Sequence, residues 1–115
     1  HRTDISVHDL AGEPLIGFNP RQFQQTMIDD LLSRANVSLR PRLRVRLTVS
    51  AYFMVANGVG IALLDSFTAG RHTSGDVRVV PLKETAEFTL RLFHNRAAPL
   101  SQIAEAFVRY VRKLV

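Results

Sequence analysis

The sequence predicts an α/β fold, with a mixed and mostly parallel sheet flanked by helices, and three features carry that expectation. Apolar residues recur at three- and four-residue steps between Pro20 and Ala35, the period of a helix with one buried face. From Arg42 to Leu47 they alternate with arginine, the period of a strand with one buried face. Gly60 to Leu64 is a short, almost wholly apolar run bounded by turn residues, the pattern of a strand covered on both faces in a parallel or mixed sheet. Segments of the two periods alternate along the chain, as an α/β layer architecture requires.

At the N-terminal end, Ser6 is placed to cap a single turn through Leu10, which Gly12 and Pro14 break. Leu15, Ile16 and Phe18 then form a short buried strand. Asn19 followed by Pro20 is a helix start signal, because asparagine accepts an orphan N–H and proline has none to satisfy. The helix is expected from Pro20 to about Ala35. Phe23, Met27, Leu31, Leu32 and Ala35 form its stripe, with Gln24, Gln25, Asp29 and Asp30 pointing elsewhere and Asn36 ending it. In the next strand Leu43, Val45 and Leu47 face inward, and the arginines share the other face.

Ser50 supplies a candidate N-cap for a short helix through Ala51, Phe53, Met54 and Val55, which Gly58 terminates in the left-handed conformation before the apolar run begins. Asp65 to Asp76 is polar and glycine-bearing, hence loop or broken helix. Val77, Val79 and Val80 are expected as a strand stopped by Pro81, and Phe88, Leu90 and Leu92 as another. Pro99 precedes a cap at Ser101, after which Ile103, Ala104, Phe107, Val108, Val111 and Val115 trace the apolar face of a last helix with basic residues in its final turn. There is no internal repeat and no low-complexity stretch.

Composition narrows the function classes. A length of 115 residues suits one domain, and 46% hydrophobic residues spread over the whole chain predict folding rather than disorder. The absence of cysteine excludes disulfides and thiolate metal sites, and no apolar run reaches membrane-spanning length, so a cytoplasmic protein with no membrane contact is the expectation. The formal charge of +5 favours anionic over cationic partners. His1, His8, His72 and His94 lack metal-ligand spacing, and no serine or histidine sits in a nucleophile motif, so neither enzyme chemistry nor a cofactor is expected. The glycines of Gly58-Val59-Gly60-Ile61-Ala62 do not make a dinucleotide fingerprint, which needs a strand before them and a helix after, the reverse of the order here. The arginines at 40, 42, 44 and 46 lack an interleaved aromatic platform or a recognition helix. They read as a solvated strand face, or as a subunit contact paired with carboxylates such as Asp29, ahead of a nucleic-acid or anionic-ligand site.

Three segments, in order and spacing, resemble the effector-binding domain of LysR-type bacterial transcriptional regulators: Asp9-Leu10-Ala11-Gly12-Glu13-Pro14-Leu15-Ile16, Met54-Val55-Ala56-Asn57-Gly58-Val59-Gly60-Ile61-Ala62-Leu63-Leu64, and Ala106-Phe107-Val108-Arg109-Tyr110-Val111. The likeness covers nearly the whole chain. It implies a periplasmic-binding-protein-like (type 2) pair of lobes joined by crossover strands, holding a small effector in the cleft between them. It further implies a partial effector-binding domain over 1–115. On that reading 14–81 is lobe two, 82–115 is a crossover strand and C-terminal helix that complete lobe one, and most of lobe one and a winged helix-turn-helix lie outside this chain. That last helix is then expected to carry an orphaned apolar face. DNA contact through the absent N-terminal domain, homo-oligomers and no catalytic activity are implied in the same way.

The resemblance also directs attention to strand ends. Phe18 ends the first strand and Asn19, Pro20 and Arg21 follow it, and the amides there suit a carboxylate or phosphate, although an ordinary capped helix start explains the same residues. Ser50, beside Thr48 and Val49, lies at a second strand-to-helix junction, where it serves as a helix cap, an effector contact or both. Asp65, followed by Ser66, is suited to an ammonium or hydroxyl group, or to starting a turn. Leu64-Asp65-Ser66-Phe67-Thr68-Ala69 departs from the commoner family pattern, in which proline follows the strand, and is similar to members that sense amino acids or opines. The alternative from another class is a solute-binding lobe of a transport protein with the same architecture.

Overall fold

In a computed structural model, which describes residues 3–71 and 75–114, Val7–Leu10 form a 3-10 turn. Ser6 caps it reciprocally: its hydroxyl accepts the His8 amide while the Asp9 carboxylate accepts the Ser6 amide. Seven elements follow in chain order: β1 (Leu15–Phe18), α1 (Phe23–Arg34), β2 (Pro41–Val45), α2 (Thr48–Ala56), β3 (Ile61–Ala62), α3 (Ser66–Arg71) and α4 (Gln102–Leu114). His1, His72 and Val115, named above, lie outside the described residues.

The sheet has the order β2-β1-β3, and both ladders are parallel, so the chain is α/β as its periodicities predict. All four residues of β1 are buried, because that strand is paired on both edges and covered on both faces. Val7, Leu10, Ile16, Phe18, Ile28, Leu31, Leu32 and Ala51 form the buried core, contributed by the first turn, the central strand, α1 and α2. No helix among the described residues is long and apolar enough to cross a membrane.

The helix expected from Pro20 begins instead at Phe23. Asn19 closes a tight turn, its side-chain oxygen accepting the Arg21 amide at 3.1 Å and its carbonyl accepting the Gln22 amide at 2.9 Å, and this holds Pro20 and Arg21 out of the helix. The buried stripe of α1 is also rotated from the expected one. Gln25, Ile28, Leu31 and Leu32 are inside, whereas Phe23 is 61% exposed and only meets Phe88 edge-on. Asn36 ends the helix at a positive φ of 54°, which asparagine tolerates.

β2 shows the expected alternation, with Pro41, Leu43 and Val45 half-buried and Arg42 and Arg44 exposed. Leu47 lies past the end of the strand and is exposed. α2 starts at Thr48 with Leu47 as its cap residue, so Ser50 sits inside the first turn and does not cap it. The other end is as expected. Gly58 has φ of +76°, the Gly58 amide reaches the Val55 carbonyl, and the Val59 amide reaches back to Met54, the paired bonds of a Schellman motif. The chain then turns into β3, where the Ile61 amide donates to the Pro14 carbonyl at 2.9 Å.

Gly60 to Leu64 is not the central strand that its composition suggests. β3 is two residues long, half-buried and at the sheet edge, and β1 occupies the centre. Val77, Val79 and Val80 form no strand; the neighbouring Leu82 makes one parallel bridge to Ile5, through Ile5 N–H to Pro81 O and Lys83 N–H to Ile5 O. Phe88, Leu90 and Leu92 are likewise unpaired, at 39%, 65% and 48% exposure. Alternation specifies a face, but a strand also needs a neighbouring backbone to satisfy its N–H and C=O groups, and among the described residues no strand pairs with these segments.

α4 forms where its sequence places it, with the Ser101 hydroxyl accepting the Ala104 amide at 3.1 Å. None of its described residues is buried, and Ile103, Phe107, Tyr110 and Leu114 are open to solvent. The apolar face of α4 is thus exposed among the described residues. The chain measures 52 × 31 × 24 Å with a radius of gyration of 17.1 Å, well above the ~13 Å typical of a compact 100-residue domain. The extended segment before α4 and the projecting helix account for the excess.

Candidate functional site

Parallel pairing brings the carboxyl ends of all three strands to one edge of the sheet. Phe18 is in register with Val45, so β1 and β2 end level, while β3 ends opposite Ile16 and the chain runs on through Leu63 and Leu64 towards the same edge. The exits are Asn19 to Gln22, Arg46 to Ser50, and Leu63 to Ser66. In open α/β sheets, ligands bind beyond such an edge.

The first exit is fixed from within. Gln25 is 1% exposed, and its side-chain oxygen accepts the Phe18 amide at 2.8 Å while its amide group donates to Asp29 at 2.8 Å. A buried Gln so used terminates β1 without leaving an orphaned donor. Gln22 reinforces the junction by donating from its side-chain amide to the Arg46 carbonyl, tying the exits of β1 and β2 together. The Arg44 guanidinium donates to the Phe18 carbonyl. Gln25 was hidden in the sequence, where it counts as one more polar residue of an amphipathic helix.

At the second exit no side chain caps α2, and the Ser50 and Ala51 amides both turn to the Leu47 carbonyl. The Thr48 and Val49 amides, first in the helix, have no intrahelical acceptor. At the third exit the Asp65 carboxylate accepts from the Thr68 amide at 2.8 Å and from the Thr68 hydroxyl at 2.7 Å. Asp65 therefore starts α3, with lone pairs on each oxygen still open to a further donor.

A hollow of about 1230 Å³ lies between the sheet, α1, α2 and the segment leading to Phe88. It is lined mainly by apolar side chains, with Gln24, Thr48, Asp65 and Ser66 among its polar groups. Phe18 and Asp65 share its wall; Asn19, Arg21 and Ser50 do not line it. Asn19 and Arg21 are exposed on the turn beyond β1, and Ser50 is half-buried within α2. Phe23, Gln24 and Tyr52 line it without having been singled out in the sequence, where their helical spacing marks them only as parts of amphipathic helices.

On the far side of this hollow Glu84 clasps the first turn. Its carboxylate accepts the Ser6 hydroxyl and, at 3.0 Å, the Val7 amide. These bonds, the Ser6 hydroxyl first and the Val7 amide second, lower its pKa below the usual glutamate value. With the Ile5–Leu82 bridge they fasten the segment around Leu82 to the N-terminal end of the chain.

The family described as the LysR substrate binding domain matches residues 1–115, the whole chain. No curated protein matches it.

Proposed function

The chain belongs to the LysR substrate-binding domain family, the effector-sensing part of LysR-type transcriptional regulators, and from that premise we propose that a small metabolite binds at the carboxyl edge of its parallel sheet. The observation that carries this reading is the convergence of the three strand exits, with Phe18, Thr48 and Asp65 on the wall of one hollow. Residues 14–81 act as the second lobe of a periplasmic-binding-protein-like pair, and 82–115 supply the crossover strand and helix that complete the first. The exposed apolar face of α4 and the unpaired segment from Phe88 to Leu92 support this division, since both are built to meet a partner surface.

Within the site, Phe18 offers an apolar wall and Asp65 an acceptor for an ammonium or hydroxyl group. The amides of the Asn19 turn and of Ser50 are taken up within the chain, so the donors offered to an anionic group are the exposed Arg21 side chain, the Ser50 hydroxyl and the Thr48 and Val49 amides at the start of α2. Together they suit a zwitterionic, amino-acid-like or opine-like effector. Binding acts through differential affinity for two lobe arrangements. Couplings of about 1–3 kcal/mol are typical of such switches, enough to alter how the regulator's oligomer presents its DNA-binding heads.

A thermal-shift screen of amino acids and opines against the two-lobe domain tests this reading. Binding at 100 times Kd stabilises by about 2.7 kcal/mol, so a true effector raises the melting temperature by several degrees. A uniform absence of shifts across both compound classes contradicts the amino-acid or opine assignment.

A further inference from the structure

Gln22 stands at the N-cap position of α1, yet its side chain makes no capping bond to that helix. Serine, threonine, aspartate and asparagine are preferred there, because their short side chains bend back onto the free amides of the first turn. Glutamine is longer and does not serve that end here. A residue that departs from a local rule is expected where the protein uses it for something else.

That use lies across the edge of the sheet. The Gln22 side-chain oxygen accepts the Asn19 amide at 3.1 Å, and its side-chain amide donates to the Arg46 carbonyl at 2.6 Å, 24 residues further along the chain. The Gln22 backbone N–H donates to the Asn19 carbonyl at 2.9 Å, so one residue closes the turn leaving β1 from both sides. Phe18 and Val45 are the last paired residues of β1 and β2. Beyond them the ladder ends, and the Gln22 side chain carries the connection one step on. Both polar atoms of the side chain are thereby engaged, one at each strand exit.

What the clamp joins is what the site needs joined. Asn19 accepts the Arg21 amide on its side chain, so holding Asn19 also holds the turn that carries Arg21. Arg46 directly precedes Leu47, the cap residue of α2, so holding its carbonyl fixes where the Thr48 and Val49 amides stand. These are the two sources of donors offered to an anionic group, and they come from separate strand exits. Gln22 does not line the hollow, so it acts through its neighbours rather than by contact. We propose that Gln22 is a positioning residue of the effector site, a two-ended clamp that keeps the exits of β1 and β2 at the spacing that receives one anionic group. This rests on the effector reading above and deepens it. An edge held in its binding arrangement bears no ordering cost when the effector arrives. With the clamp cut, the exits sample other spacings, and the apparent Kd rises in inverse proportion to the fraction that stays competent. Because no contact to the effector is removed, the loss falls on association, and dissociation is unchanged.

The test uses the full-length regulator that contains this chain, with the protein amino acids and octopine as probes. The tightest binder is followed by stopped-flow in the parent, in Gln22→Met, which keeps the length and removes both side-chain bonds, and in Asn57→Ala. The last removes a comparable bond, from the Asn57 side chain to the Phe53 carbonyl at 2.7 Å, at the far end of α2. Gln22→Met is expected to slow association about ten-fold, as a competent fraction of about one tenth requires, with dissociation changed less than about two-fold. It is also expected to speed hydrogen exchange at the Ser50 and Ala51 amides, which lie beyond the Arg46 carbonyl at the other exit. Asn57→Ala does neither. Equal effects of the two variants, an unchanged association rate, or a loss carried by dissociation, which would make Gln22 a direct contact, overturn the proposal and leave the effector site standing. If no probe binds the parent, the effector class falls and this inference falls with it.

Discussion

The side-chain oxygen of Gln25 accepts the backbone amide of Phe18 at 2.8 Å inside the core, so a helix residue closes the end of the central strand. Gln25→Leu keeps the volume and removes the acceptor, leaving the buried Phe18 amide unsatisfied. The expected loss is about 1–3 kcal/mol of stability, read from the urea midpoint at unchanged slope. A variant as stable as the parent would show that this bond does not hold the strand end.

Gly60 and Gly58 separate two kinds of glycine requirement. A Cβ at Gly60 would stand 2.1 Å from the Pro14 carbonyl oxygen, in the very place where β3 meets β1, so Gly60→Ala has to push the strands apart. At Gly58 a Cβ meets nothing within 4 Å, and only the positive φ resists substitution. Gly58→Ala is expected to cost about 1–2 kcal/mol, and Gly60→Ala more, with faster hydrogen exchange at the Ile61 amide in the second variant alone. Equal costs would remove the close approach from the account.

Glu84 makes the fold acid-sensitive. Its pKa is lowered in the folded chain by the Ser6 hydroxyl and the Val7 amide, so its contribution is present above the unfolded value of about 4.3 and is lost as pH falls through the lower folded value. The stability gap between the parent and Glu84→Gln should therefore be widest near neutral pH and shrink under acid. Urea midpoints across a pH series read it, and a gap that widens on acidification would reverse the assignment.

Much of the fold is legible in the sequence because local rules and packing agree there. Ser6 capping its turn, the buried run from Leu15 to Phe18, the alternation from Arg42 to Val45 and the Gly58 stop all follow from residues that satisfy their own neighbours. The departures have two sources, a competing local turn and groups beyond the local window. Asn19 turns the chain instead of capping it, because its side chain and carbonyl are taken up by Arg21 and Gln22. Gln25 is buried because the Phe18 amide, seven residues earlier, needs an acceptor. Val77 to Val80 and Phe88 to Leu92 have strand periodicity without a strand to pair with, a property of the neighbourhood that no window of sequence contains.

Of the candidate site, the sequence shows the junctions more clearly than the lining. Strand-to-helix junctions at Asn19, Ser50 and Asp65 are visible as punctuation, and parallel pairing gathers all three at one edge. Which side chains line the hollow is set by helix rotation and strand register. Thus Phe23, Gln24 and Tyr52 join Phe18 and Asp65 there, while Ser50 is held within its helix.

The most direct measurement of the central claim is amide chemical-shift mapping of the two-lobe domain, titrated with whichever amino acid or opine stabilises it in the thermal screen. Binding at the carboxyl edge predicts that the largest shifts within this chain fall on Phe18 to Arg21, Thr48 to Ser50 and Leu64 to Ser66. Shifts concentrated at the opposite end of the strands, around Pro14, Leu15 and Gly60, would contradict it.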